Sequence, residues 1–329
     1  MTLTNVNEKL IVTESPHVRG ALTTSKVMMD VIIALIPALI AGTIVFGLRA
    51  LALSAVCVIA AVLSEWLWCK ILKKPSSIGD LSAVVTGLLL ALNLPPAMPF
   101  WMAAVGCVFA IIIVKQFFGG IGHNFMNPAM AARAFLLTSW AQAMTTWTAP
   151  FSADAVSSAT PLTLIKEGTT EGLPGYMDMF LGNMGGCIGE VSALAILIGG
   201  AYLLAKKIIS IRIPASYIIT VAVITFIFGG NDGWFTGDAL MHILSGGLML
   251  GAFFMATDYV TTPYTKKGQI IFGIGCGVIT AVIRLYGGYP EGVTYAILLM
   301  NVASPLIDKL TAPKRFGAIK EKTAKEGKC

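Results

Sequence analysis

Three groups of residues have the types and spacing to do chemistry. The first is the run Asp154-Ala-Val-Ser-Ser-Ala-Thr-Pro161. Thr160 stands one residue before a proline, with Leu162–Glu167 and then Gly168 behind it. That order predicts a short helix capped by Thr160, opened by Pro161 and stopped by the glycine. A phosphate esterified to the same hydroxyl would meet the free N–H groups of the helix start, so the cap and an anion attachment are compatible readings. Asn124 and Asn127 form the second group, in Gly122-His-Asn-Phe-Met-Asn-Pro128. Two carboxamides three residues apart can both donate to and accept from one planar heterocycle; they can equally serve a re-entrant turn that satisfies its own carbonyls. Arg133 is the third. A guanidinium inside an apolar stretch is costly and usually functional, as counter-charge to an anionic ligand or a partner carboxylate, unless it snorkels to a nearby surface.

The acids predict less. Asp30, Glu65, Asp80, Glu190, Asp238, Asp258 and Asp308 fall near the ends of apolar stretches, so no carboxylate relay through the middle of the chain is expected. The six cysteines include no C-x-x-C pair, and most lie in apolar stretches as small packing residues. Neither an iron–sulfur cluster nor another metal site is expected from this chain alone. No dinucleotide fingerprint is present either, so the chain is not expected to meet a nicotinamide cofactor itself.

The elements that must position these residues are membrane spans. Of 329 residues, 56% are hydrophobic and 12% charged, against about 25% charged in a soluble domain. The net charge is +6, but it sits in short loops and in Lys314–Lys328, which is the pattern of membrane topology rather than of nucleic-acid binding. No cleavable signal peptide is expected, since residues 1–26 are polar. A span takes about 20 apolar residues, and hydropathy predicts ten: 27–47, 51–70, 81–96, 99–118, 128–143, 186–205, 213–230, 239–257, 269–286 and 293–308. Three are short or interrupted, by Asn93-Leu-Pro-Pro96, by the glycine-rich entry to Pro128, and by Ser245-Gly-Gly247.

With both termini inside, 19 of the 23 Lys and Arg lie inside, as the positive-inside rule requires. Arg49, Lys166 and Arg284 then lie outside, and Lys115 is an inner-surface charge. The predicted organisation is an inner segment 1–26, a five-helix unit 27–143, an outer acidic loop 144–185, a second five-helix unit 186–308 and a basic inner tail 309–329.

The two units resemble each other. Gly106-Cys107 is followed by Lys115 and Gly119-Gly120, and Gly275-Cys276 by Arg284 and Gly287-Gly288. Asp80 with Thr86-Gly87 is echoed by Asp238 with Ser245-Gly246, which makes Asp80 and Asp238 the acids with the best claim to an ion role. An offset of five spans inverts the second copy, a transporter-like arrangement.

Ser15-Pro-His17, Thr86-Gly-Leu-Leu-Leu-Ala-Leu-Asn-Leu-Pro-Pro96, the run from Lys115-Gln116 to Asn127-Pro-Ala-Met130, and Ser157-x-Ala-Thr-Pro161 are together similar to one family. It comprises the D subunits of Rnf complexes and the B subunits of sodium-pumping NADH:quinone reductases, and the likeness runs to about Asp308. The resemblance implies an all-α polytopic fold of about ten helices in two inverted repeats, like ammonium and urea channels, in the bacterial inner (cytoplasmic) membrane. It implies FMN joined through its phosphate to Thr160 by a flavin transferase that reads Asp154, Ser157, Ser158 and Ala159; Ser158 stands where glycine is common. It implies a second, non-covalent flavin such as riboflavin near Asn124 and Asn127. The partners implied are the A, B, C, E and G subunits of an Rnf complex, G being the other flavin carrier. The complex couples electron flow between ferredoxin and NAD to Na+ or H+ transport. From the residues alone, a passive solute channel or secondary transporter remains the alternative, and a cofactor-free scaffold a third reading.

Overall fold

The computed structural model describes residues 23–74, 77–151, 160–167, 172–230, 233–289 and 291–313. Ser15-Pro-His17, the flavinylation-motif residues Asp154, Ser157, Ser158 and Ala159, and residues 314–329 of the basic tail lie outside them; the first residues of that tail, to Thr311, extend the helix Val293–Thr311. The chain is all-helical, with no β-strand among the described residues. Four helices are long and apolar enough to cross a membrane: α1 (Thr24–Phe46), α2 (Leu48–Ile71), α13 (Lys266–Tyr286) and α14 (Val293–Thr311). At 1.5 Å per residue they span about 28–36 Å, against a hydrocarbon core of about 30 Å.

The remaining predicted spans are shorter or broken. They are α3 (Ser82–Leu92), α4 (Phe100–Val108), which continues as a π-helical stretch Phe109–Gln116, and α5 (Pro128–Ser139) with the short α6 (Ala141–Thr145) behind it. In the segment expected as the outer loop lie α7 (Pro161–Lys166) and α8 (Tyr176–Leu181). Then come α9 (Ala193–Ala205), α10 (Arg212–Phe228), α11 (Ala239–Leu244) and α12 (Leu248–Leu250), the last running into π-helical Gly251–Met255. The expected span 186–205 is therefore helical only from Ala193. The expected span 128–143 changes direction at Trp140, whose backbone (φ −135°, ψ 57°) is non-helical.

Side chains divide by face. Along α1, Ala34, Ala38, Gly42 and Val45 are buried, whereas Ile33, Ile36, Ile40 and Ile44 are exposed. Isoleucines outward, with Ala34, Ala38 and Gly42 beside Leu35 and Val45 in the buried stripe, is the pattern of a lipid-facing helix whose small residues let backbones approach. The buried stripe packs on α9, and at Gly199 an added Cβ would lie 2.0 Å from the Ala34 carbonyl oxygen. The α10–α13 contact uses the same device: Gly277 lies under Thr220, and Tyr217 shares a 2.6 Å hydrogen bond with Thr280.

Broken helices expose carbonyls that lipid cannot satisfy. At the end of α3 the non-helical segment before α9 supplies the donors: Gly189 N–H reaches the Leu92 carbonyl at 2.7 Å and Ile188 N–H reaches Leu94 at 3.1 Å. At the end of α11 a side chain does the work. Arg284 donates to the carbonyls of His242 and of Ser245, the latter at 3.2 Å. Arg284, placed on the outer side by charge counting, is 4% exposed. Lys115, expected at the inner surface, is 3% exposed.

Candidate functional site

Thr160 caps α7 as its sequence predicts. Its backbone is extended (φ −75°, ψ 155°), and its hydroxyl oxygen accepts from the Thr163 N–H at 3.3 Å and lies 2.8 Å from the Thr163 hydroxyl. The cap docks α7 on the second half of the chain. Leu162 is buried against Gly246, which takes a left-handed φ of 67° at the break between α11 and α12. Lys166 donates to the carbonyls of Gly287 and Tyr289 beyond α13. Thr160 is buried, and an esterified oxygen there would keep its acceptor role toward the Thr163 N–H.

Asn124 and Asn127 both line a largely apolar cleft with Thr86, Leu89, Lys115 and Asp258. Much of each carboxamide is spent on backbone. Asn127 caps α5, accepting from Ala129 N–H at 3.0 Å and Met130 N–H at 3.3 Å, and donates to the Met255 carbonyl at 3.2 Å. Asn124 donates to the Met126 carbonyl at 3.2 Å. The self-satisfying turn is thus real, and each carboxamide still keeps an N–H beyond these bonds. Apolar walls with a few polar edges suit a planar heterocycle, so the residues present fit a flavin ring.

Beside the cleft lies a satisfied charge network. Lys115 Nζ reaches both Glu65 carboxylate oxygens at 3.0 Å and the Ser82 hydroxyl at 2.5 Å. Ser77 and Gln116 donate to the same Glu65 oxygen at 2.5 and 2.8 Å. Asp80 enters through Ser82, accepting from its N–H at 2.8 Å and its hydroxyl at 2.5 Å. Asp238 belongs to a different network. It caps α11 through the Met241 N–H at 3.0 Å and accepts from the Tyr176 phenol at 2.6 Å, which pushes that phenol's pKa up. The repeat-related acids are therefore both helix-start residues, in separate places.

Arg133 does not snorkel. It is 3% exposed and pairs with Glu291 through Nη2. Its Nη1 donates to Asn93 Oδ1 at 2.8 Å and its Nη2 to Cys187 Sγ at 3.5 Å. Cys187 in turn gives its thiol proton to the Asn93 carbonyl at 3.2 Å, and its N–H to Glu190 Oε1 at 2.8 Å. Cys187, Glu190 and Glu291 place one ligand atom each within 4.8 Å of one another. The acids near the span ends are not all surface residues. Glu65 is 0% and Glu190 4% exposed, and nothing in the sequence around Glu291 singles it out. The usable signal is Arg133 itself: a buried guanidinium demands a carboxylate, and Glu190 and Glu291 are available in short polar turns.

Comparison with known proteins gives one consistent picture. A family model described as the NQR2, RnfD, RnfE family matches residues 11–317. The chain is 56% identical over 322 residues to the D subunit of the Na(+)-translocating ferredoxin:NAD(+) oxidoreductase complex of Acetobacterium woodii, covering 97% of this chain and 98% of that one. It is 49% identical over 316 residues to the D subunit of the proton-translocating ferredoxin:NAD(+) oxidoreductase complex of Clostridium ljungdahlii, covering 93% and 96%. With the D subunit of the ion-translocating oxidoreductase complex of Stutzerimonas stutzeri it shares 39% identity over 327 residues, covering 90% and 92%.

Proposed function

The chain belongs to the NQR2, RnfD, RnfE family, and from that premise we propose that it is the flavin-carrying membrane subunit of an ion-translocating ferredoxin:NAD+ oxidoreductase complex. The observation that carries the complex is the near full-length identity to two D subunits of such complexes. Their names favour this reading over a free-standing channel or secondary transporter. The proposed surroundings are the bacterial inner membrane, with both termini inside and the A, B, C, E and G subunits as partners.

The proposed architecture is ten membrane passes in two inverted halves. In its support, α1 and α9 open the two halves and pack on each other, and α5 and α14 close them and pack on each other. Lys115 and Arg284, paired by the repeat, are both buried cations that hold the ends of neighbouring short helices.

The proposed cofactors are FMN esterified to Thr160 and a non-covalent flavin such as riboflavin in the cleft of Asn124 and Asn127. When bound, the isoalloxazine rings would supply the electron-carrying chemistry. The protein's part is position. Thr160 would hold the phosphate at the start of a helix pinned by Leu162 and Lys166. Asn124 and Asn127 would offer N–H groups to the edge of a ring whose faces meet apolar walls. Among the described residues no nucleotide fingerprint or cysteine cluster is present, so electrons would enter and leave through partner subunits.

In-gel flavin fluorescence of the denatured chain, co-expressed with a flavin transferase, tests the attachment. A fluorescent wild-type band that goes dark in Thr160→Ala is expected. A dark wild-type band, or a fluorescent Thr160→Ala band, would overturn it.

A further inference from the structure

One group behind Arg133 has no part in the proposed redox role. Glu190 Oε1 accepts from the Cys187 N–H, but its Oε2 is buried with no hydrogen-bond partner. Glu190 makes no ion pair among the described residues, whereas Glu291 is paired with Arg133. A buried carboxylate oxygen left alone is costly, so something is expected to meet it. Oε2 faces the gap beside Gly247: a methyl added there would lie 3.3 Å from Oε2 and 3.6 Å from Arg133 Nη1.

The place is where broken helices end. Asn93, at the end of α3, binds Arg133 and Cys187. Gly246 and Gly247 separate α11 from α12. Such interruptions mark ion and substrate sites in inverted-repeat membrane proteins. The ligand atoms of Cys187, Glu190 and Glu291 lie within 4.8 Å of one another. Two carboxylate oxygens that close can share one hard cation at about 2.4 Å from each. The thiol is already committed to the Asn93 carbonyl, so oxygen defines the site. Of the two carboxylates only Glu291 forms an ion pair among the described residues; Arg133 and Arg284 both face Glu190 without pairing with it, and with two guanidiniums already set against two carboxylates a monovalent cation suits the site better than a divalent one.

We propose that Glu190 is a buried exchange site for one hard monovalent cation, Na+ or a proton, held with Glu291 beside the Gly246–Gly247 break. The inference rests on the proposed membership of an ion-translocating complex, and not on flavin at Thr160. Occupancy draws on the Glu291 oxygens and so weakens the Arg133–Glu291 pair; departure of the cation restores it. Filling the site is thereby linked to the contact between α5 and the approach to α14.

Infrared difference spectroscopy of the purified complex tests the site in two arms. One exchanges choline chloride for sodium chloride at fixed pH; the other steps pH without sodium. A carboxyl-band change in the sodium arm identifies Na+, and one confined to the pH arm identifies a proton. Either change is expected to vanish in Glu190→Gln and to persist, shifted, in Glu190→Asp. Gly247→Ala keeps both acids but presses on Oε2, and is expected to raise the half-saturating sodium concentration about tenfold, or to move the pH midpoint by about one unit. No wild-type change in either arm, or the same change persisting in Glu190→Gln, overturns the proposal. Flavin fluorescence at Thr160 is read on the same samples, so failure of the flavin reading shows separately.

Discussion

Arg133 on α5 and Glu291, two residues before α14, form a buried ion pair between residues 158 positions apart in the sequence. The pair ties α5 to the approach to α14. Removing one partner of a buried pair leaves an uncompensated charge and costs about 3–5 kcal/mol. Arg133→Leu is expected to destabilise the detergent-solubilised chain by that order, read as a lower thermal midpoint. Glu291→Gln, which keeps an acceptor oxygen, is expected to cost less. Arg133→Lys retains the charge but cannot span Asn93, Cys187 and Glu291 with one fork, so it should recover only part of the loss. Equal midpoints for Arg133→Leu and wild type would show that the pair adds nothing to stability.

Asn127 combines two tasks that substitution can separate. As the α5 cap, its carbonyl oxygen is worth about 0.5–2 kcal/mol. As a lining residue of the cleft, its amide N–H is offered to the proposed ring. Asn127→Asp keeps the cap and loses the N–H; Asn127→Leu loses both. Both variants are expected to carry less extractable, non-covalent flavin than wild type while the covalent band stays bright. Asn127→Leu should show the larger stability loss, because Asn127→Asp keeps the cap and loses only the bond to the Met255 carbonyl. Full flavin content in Asn127→Asp would leave Asn127 as a cap alone.

Much of this was legible because apolar runs and caps are local signals. Thr160 and Pro161 predict the start of α7 to the residue, and every hydropathy-predicted span contains a helix. The breaks at Asn93 and at Ser245–Gly247 were also legible, since Pro and paired Gly interrupt a helix wherever they stand. What the sequence did not yield is pairing at a distance. Charge counting gives Lys115 and Arg284 no more than a side of the membrane, because it reads each residue by its neighbours in the chain. Their partners, Glu65 and the α11 carbonyls, come from other helices. Glu190 and Glu291 were hidden for the same reason: each lies in a short polar turn, and only packing carries those turns inward.

The α1–α9 contact has little tolerance. At Gly199 an added Cβ would approach the Ala34 carbonyl oxygen to 2.0 Å and the Phe254 ring to 3.0 Å. Backbone cannot yield as a flexible side chain can, so Gly199→Ala must push the helices apart, with overpacking costs of about 1–3 kcal/mol. Reduced yield of assembled complex and a lower thermal midpoint are expected. Gly288→Ala, where the added methyl meets nothing within 4 Å, is the matched control and should behave as wild type.

Lys115 and Glu65 test whether a buried pair is kept for stability or for the cleft beside it. Lys115→Met strands Glu65, which is fully buried and retains only the Ser77 and Gln116 donors. A loss of about 3–5 kcal/mol is expected. Glu65→Leu strands the ammonium instead, with Ser82 as its remaining partner. The double variant, Lys115→Met with Glu65→Leu, removes both charges together, and replacing a buried pair by apolar residues is often neutral. Its thermal midpoint is therefore expected near wild type, well above either single variant. If stability returns but non-covalent flavin stays low, the ammonium at the cleft wall serves the ligand; if both return, the pair served the fold alone. A double variant as unstable as the singles would show that Ser77, Ser82 and Gln116, left without their ionic partners, dominate the cost.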